Sequence, residues 1–163
     1  MSRQISELEA VLRQLVQEHS RLLAHATRYS AAMQAFDLRT MDDAGREQET
    51  SRLRITMLDQ RRRSIVQQIG KAMNLPGELT VAKIAAISPE NAKTLLELRK
   101  QLKDLVEQVA ATNKISGKVA GAVLGHLNTV VRLLAGAVER AGLYTKNGVP
   151  QVSGRIGGME AVG

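Results

Sequence analysis

Ten positions in the first thirty-six residues, Ile5, Leu8, Leu12, Leu15, His19, Leu22, Ala26, Tyr29, Met33 and Phe36, recur at alternating intervals of three and four. That is a heptad seam, and apart from His19 it is filled with apolar or aromatic side chains. A helix carrying such a stripe cannot leave it in water, so the chain must lay long helices against one another. Ser2 is the expected cap of the first helix. A second seam follows at Met41, Ala44, Gln48, Ser51, Ile55, Leu58, Arg62, Ile65, Ile69 and Ala72. Gln48, Ser51 and Arg62 occupy interior-type positions there, which predicts looser packing or polar pairing along that part of the hairpin. Thr40, with Asp43 three residues on, reads as a weak capping box for this second helix.

Asn74, Leu75, Pro76 and Gly77 form a stop, because Asn tolerates a left-handed cap and Pro cannot continue a helix. Thr80 to Ile87 reads as one short helix, and Ser88 followed by Pro89 as the cap and first position of another. From Pro89 the apolar pattern runs to about Ala141, which unbroken would span roughly 80 Å against roughly 50 Å for each earlier helix. Part of the last helix then has no partner within the chain, unless it folds back near Asn113 to Gly117. The expected fold is all-α: an antiparallel bundle or coiled coil of three long helices and one short one, over 3–36, 40–73, 80–87 and 89–141. Residues 142–163 hold six glycines and Pro150, the composition of a flexible tail.

The aliphatic bias fits this, since aromatics make up 2% of the residues and the hydrophobic fraction is 44%. The net charge of +7 is uneven: residues 1–70 contribute +2, 71–107 contribute +1 and 108–163 contribute +4. A basic balance admits nucleic acid, anionic lipid or an acidic protein as partner. Without cysteine there is neither a disulfide framework nor thiolate chemistry, which suits a reducing cytoplasm. The amino terminus is polar and amphipathic, unlike a secretion signal.

Between Val119 and Val138 the last helix gains a second stripe, Leu124, Leu127, Val131, Leu134 and Val138, beside a first that runs through Val119, Val123, His126, Val130, Leu133 and Ala137. Two stripes make a face too broad for a simple hairpin to cover. Burying the five side chains of the second would be worth about 8 to 15 kcal/mol gross, at about 1.5 to 3 each. Association costs about 4 to 15 kcal/mol, so an amphipathic partner helix could be held with moderate affinity. A fourth bundle helix or a homodimer could hide the same face. Gly117, Gly121 and Gly125 would let another helix approach closely. Membrane insertion is disfavoured: nine Val and Leu residues from 119 to 138 contribute about −4 kcal/mol together, whereas Arg132 alone costs about 2.5 to 3.5.

Catalytic chemistry finds no support. His19 and His25 point to different sides of a helix and cannot share a metal, and His126 on an apolar seam reads as an interior or contact residue. Gly154 to Gly158 lacks the lysine and hydroxyl residue of a phosphate loop. Asp42, Asp43, Glu47 and Glu49 read as dipole-complementing residues at a helix start. Arg61, Arg62 and Arg63 are consecutive, so they fan out instead of forming one nucleic-acid stripe. No enzyme, cofactor, metal site or nucleic-acid partner is expected.

The layout resembles the FlgN family of flagellar export chaperones: two long helices, a break at Asn74 to Gly77, a short segment, a long helix with Thr112, Asn113 and Gly117 leading into an aliphatic run, then Tyr144, Lys146, Asn147 and Gly148. The resemblance implies a cytoplasmic helical protein without enzymatic activity. Its partners would be hook-associated proteins, whose carboxy-terminal helical ends it holds before secretion, and the flagellar type III export gate. It places client binding on Val119, Val123, Leu124, Leu127, Val130, Val131, Leu134 and Val138, with Lys118, Arg132 and Arg140 at the rim, and associates Tyr144 with gate docking. The alternative of another class is a self-associating coiled-coil adaptor, a homodimer with no exported client.

Overall fold

The computed structural model describes residues 2–75 and 79–140. Four helices follow one another: α1 (Ser2–Gln34), α2 (Leu38–Ala72), α3 (Val81–Ile87) and α4 (Pro89–Arg140). The described chain is all-α, three long helices and one short. It divides into two units, Met1–Val119 and Ala120–Gly163.

In the first unit the two heptad seams face each other. Ile5, Leu8, Leu12, Leu15, Leu22, Ala26 and Met33 of α1 are buried, as are Ala44, Ile65 and Ile69 of α2. The helices run antiparallel, as three cross-hairpin ion pairs show: Arg61 with Glu7 at 2.8 Å, Arg54 with Glu18 at 3.9 Å and Arg28 with Glu47 at 2.9 Å. As one partner's number rises the other's falls. Ile84 and Ala85 of α3 and Leu95 and Leu98 of α4 complete the core against Ile5 to Leu15 and Ile65 to Ile69. Each large aliphatic side chain buried there is worth about 1.5 to 3 kcal/mol, so the end of the hairpin that all four helices share is its best-anchored part. The interior polar positions of the second seam do enter the core, with Gln48 and Ser51 buried, while Arg62 is half-buried and bonds Asp59 at 2.8 Å.

Local signals account for most boundaries. Asn74 adopts φ 50° after α2, the left-handed conformation that Asn tolerates. Thr80 caps α3 by accepting from the Lys83 backbone N–H at 3.2 Å. Pro89 opens α4 behind a buried Ser88, whose carbonyl accepts from Asn91 N–H at 3.1 Å.

Two expectations need correction. The cap of α2 is Asp37, whose carboxylate accepts from the Thr40 backbone N–H at 3.1 Å and from its hydroxyl at 2.6 Å. Thr40 is therefore the capped residue, and Asp42 to Glu49 lie beyond the first turn. Phe36, the last seam position, is exposed because α1 ends at Gln34. Of the two readings of the last helix the unbroken one holds, and α4 does not take the fold-back alternative at Asn113 to Gly117. Thr112 and Ser116 direct their hydroxyls to the carbonyls of Gln108 and Thr112, four residues back, at 2.9 and 3.1 Å, leaving the helical ladder intact.

Candidate functional site

The deep core takes nothing from α4 beyond Leu98, and Leu102 is only partly buried against it. In the second unit α4 carries its aliphatic side chains into solvent. Leu124, Leu127, Val130, Val131, Leu133 and Leu134 are between 37 and 66% exposed, and Val123 is half-buried. The first stripe of the sequence reading is thus exposed as well as the second, at Val130 and Leu133. The sequence signal was the length of the apolar run, which the structure forms as one helix of fifty-two residues.

Single exposed leucines are ordinary, but a contiguous set on one helix marks an interaction surface. Arg132 is exposed on this stretch, and the Thr129 hydroxyl is turned back on the Gly125 carbonyl at 3.0 Å. A Cβ built on Gly121 or Gly125 would meet nothing within 4 Å, so the small-residue side is open too. Of the remaining expected site residues, Lys118 and Val119 fall in the first unit, exposed and half-buried respectively. The side chains of Val138 and Arg140, and Tyr144 with the rest of the tail, lie outside the described residues.

Among the described residues α4, over Pro89–Ala137, is long and apolar enough to cross a membrane by length and composition alone. Lys118, His126, Asn128 and Arg132 work against insertion, since a central arginine alone costs about 2.5 to 3.5 kcal/mol.

Elsewhere several polar groups are engaged within the α1–α2 hairpin. Arg61 bonds Glu7, while Arg62 and Arg63 bond the two carboxylate oxygens of Asp59, all at 2.8 Å. Partial burial pushes the Asp59 carboxyl up, but Arg62 and then Arg63 outweigh it and hold it below its ordinary range. The arginine run therefore has its charge engaged within the hairpin. His19 Nδ1 donates to the Leu15 carbonyl at 2.8 Å, and His25 Nδ1 lies 3.0 Å from Glu47. Among the described residues no group of three His, Cys, Asp or Glu could hold a metal ion. What the surface offers most of is apolar contact.

Compared with known proteins, a family model described as FlgN protein matches residues 1–151. Comparison with curated proteins and with solved structures gives no match.

Proposed function

The chain belongs to the FlgN family of flagellar chaperones, and from that premise we propose that it is a cytoplasmic type III export chaperone for hook-associated proteins. It holds their carboxy-terminal helical ends, prevents premature assembly and delivers them to the export gate. The observation that carries this reading is the uncovered aliphatic face of α4, Leu124, Leu127, Val130, Val131 and Leu134, in a chain whose own core ends at Leu98.

A client's amphipathic terminal helix lays its apolar side on that face, with Val123 at its edge, and excludes water from both surfaces. Arg132 meets acidic residues at the rim, where charge sets orientation and encounter rate more than affinity. The reading also assigns Val138 and Arg140 to client binding, and Tyr144 to contact with the gate once a client is loaded. No chemical step is involved, and no cofactor is required.

Replacing both Leu127 and Leu134 with glutamate tests the surface. Capture of a purified hook-associated protein should weaken by at least about a hundredfold, or about 2.7 kcal/mol, while far-UV circular dichroism stays helical. Undiminished affinity would place the client elsewhere. Tyr144→Ala should leave capture intact and abolish export. A tight dimer that occludes the face and captures no client would instead make the protein a self-associating adaptor. Co-flotation of the full chain with anionic vesicles would move it to the membrane.

A further inference from the structure

One carboxylate of the α1–α2 hairpin lacks half of its hydrogen bonding. Glu18 of α1 is only 7% exposed. Its Oε1 accepts from the Arg21 guanidinium at 2.5 Å and has the Arg54 guanidinium of α2 at 3.9 Å. Its Oε2 is closed off from solvent and has no hydrogen-bond partner among the described residues. A buried acceptor without a donor is costly, more so on a charged group, so Oε2 points to a donor that the hairpin does not itself supply.

That carboxylate lines a groove. Gln14, Gln17 and Glu18 form its α1 wall and Arg54, Met57 and Leu58 its α2 wall, around about 390 Å³, within the range of ligand-sized clefts, about 300 to 1,000 Å³. Met57 is 70% exposed, and Leu53 one turn before it is exposed as well, so the α2 rim is apolar and open. The Arg54 guanidinium at 3.9 Å is too distant for a hydrogen bond, and more than half of its side chain is exposed. It can turn aside at little cost and open Oε2 to the groove. None of these residues belongs to the α4 face.

The walls select the occupant. Oε2 needs an N–H or O–H, and two guanidinium groups already flank the carboxylate, so a third cation would be repelled and the donor must be neutral. Met57 and Leu58 offer only apolar contact, so that donor must sit at the tip of an apolar body. A tyrosine side chain has this form, with its hydroxyl at the end of the ring's long axis, whereas an indole N–H lies on the ring's flank. We propose that the groove takes a tyrosine side chain presented by a partner protein. The ring lies against Leu58 and the Met57 thioether, a favourable sulfur–aromatic contact, and the hydroxyl donates to Glu18 Oε2 in a short, charge-assisted bond.

Titration of the full chain with N-acetyltyrosinamide, followed by two-dimensional NMR, tests this. The amide signals of Gln14, Gln17, Arg54 and Leu58 should shift saturably, with a Kd of about 1 to 10 mM, the range open to a single side chain. N-acetylphenylalaninamide, which lacks the donor, should bind about tenfold more weakly. Glu18→Leu removes the acceptor together with its buried charge, and should bring the tyrosine probe down to the phenylalanine level. Met57→Ala alters an exposed side chain that the fold does not need, and should weaken both probes alike, by about threefold. Absence of saturable shifts at these residues overturns the proposal. Equal affinity of the tyrosine and phenylalanine probes for the unaltered chain does so too, because Oε2 then has its donor already. Tighter binding of N-acetyllysinamide would overturn it by making the groove a cation site.

Discussion

The Glu7 carboxylate accepts a hydrogen bond from the Arg61 guanidinium at 2.8 Å, joining residues fifty-four positions apart across the α1–α2 hairpin. Both side chains are well exposed. Such a pair marks the register of the two helices without creating it, because an exposed ion pair contributes under about 1 kcal/mol and is screened by salt. Register comes from the seam beneath, where Leu8 and Ile69 are fully buried. Arg61→Ala should therefore cost under about 1 kcal/mol, and less in high salt, whereas Ile69→Ala should cost about 2 to 5 kcal/mol. Urea denaturation of both variants at two salt concentrations checks the contrast.

Phe36→Gly should stabilise the protein. A side chain at φ 55° meets a clash that glycine escapes, worth about 1 to 2 kcal/mol. Greater freedom of glycine in the unfolded chain offsets part of this, and the exposed ring has little packing to lose. A net gain of about 1 kcal/mol is expected in chemical denaturation.

Acid should loosen the hairpin before it affects the exposed face. The hydroxyl and backbone N–H of Thr40 hold the Asp37 carboxyl below its ordinary value of 3.8. Asp59, with burial opposing and Arg62 and Arg63 prevailing, is also held below 3.8. Folding lowers both values, so the stability they contribute is complete above the unfolded pKa and lost as pH falls through the folded one. Thermal melts should hold steady from neutral pH down to mildly acidic conditions and then decline. Asp37→Asn, which keeps a capping oxygen, should flatten part of that decline, and Asp59→Asn a further part.

Much of this architecture was legible in the sequence because its signals are local or periodic. The α1 seam from Ile5 to Met33 needs only side-chain spacing, and the Asn74 and Pro89 boundaries need only backbone preferences. The α2 start was misread because Asp37 and Thr40 both have side chains that cap helices, and sequence alone does not say which accepts from the other. Phe36 was misread because the three-four rhythm runs two residues past the end of the helix, and periodicity cannot see where an αL residue ends it. On α4 the spacing located the apolar stripes from Val119 onward. It could not tell which had a partner, since Leu98 and Leu133 look alike in sequence and only tertiary reach separates a buried leucine from an exposed one.

Gly121 and Gly125 supply a last test, because they cost the free helix stability that alanine would restore. A Cβ at either position meets nothing within 4 Å, and alanine is preferred over glycine in a helix by about 1 kcal/mol per residue. The double substitution Gly121→Ala, Gly125→Ala should therefore slow amide hydrogen exchange across residues 120–137 without changing the core melt, since a helical stretch with few buried apolar contacts opens independently of the core. Small residues four apart also let a neighbouring helix approach its backbone closely. If a client helix packs on that side, the two added methyl groups hold it off, and affinity should fall about tenfold, or about 1.4 kcal/mol, although the free helix is more stable. Slower exchange with unchanged affinity would confine the client to the Leu124, Leu127, Val131 and Leu134 side and leave the glycines outside its footprint.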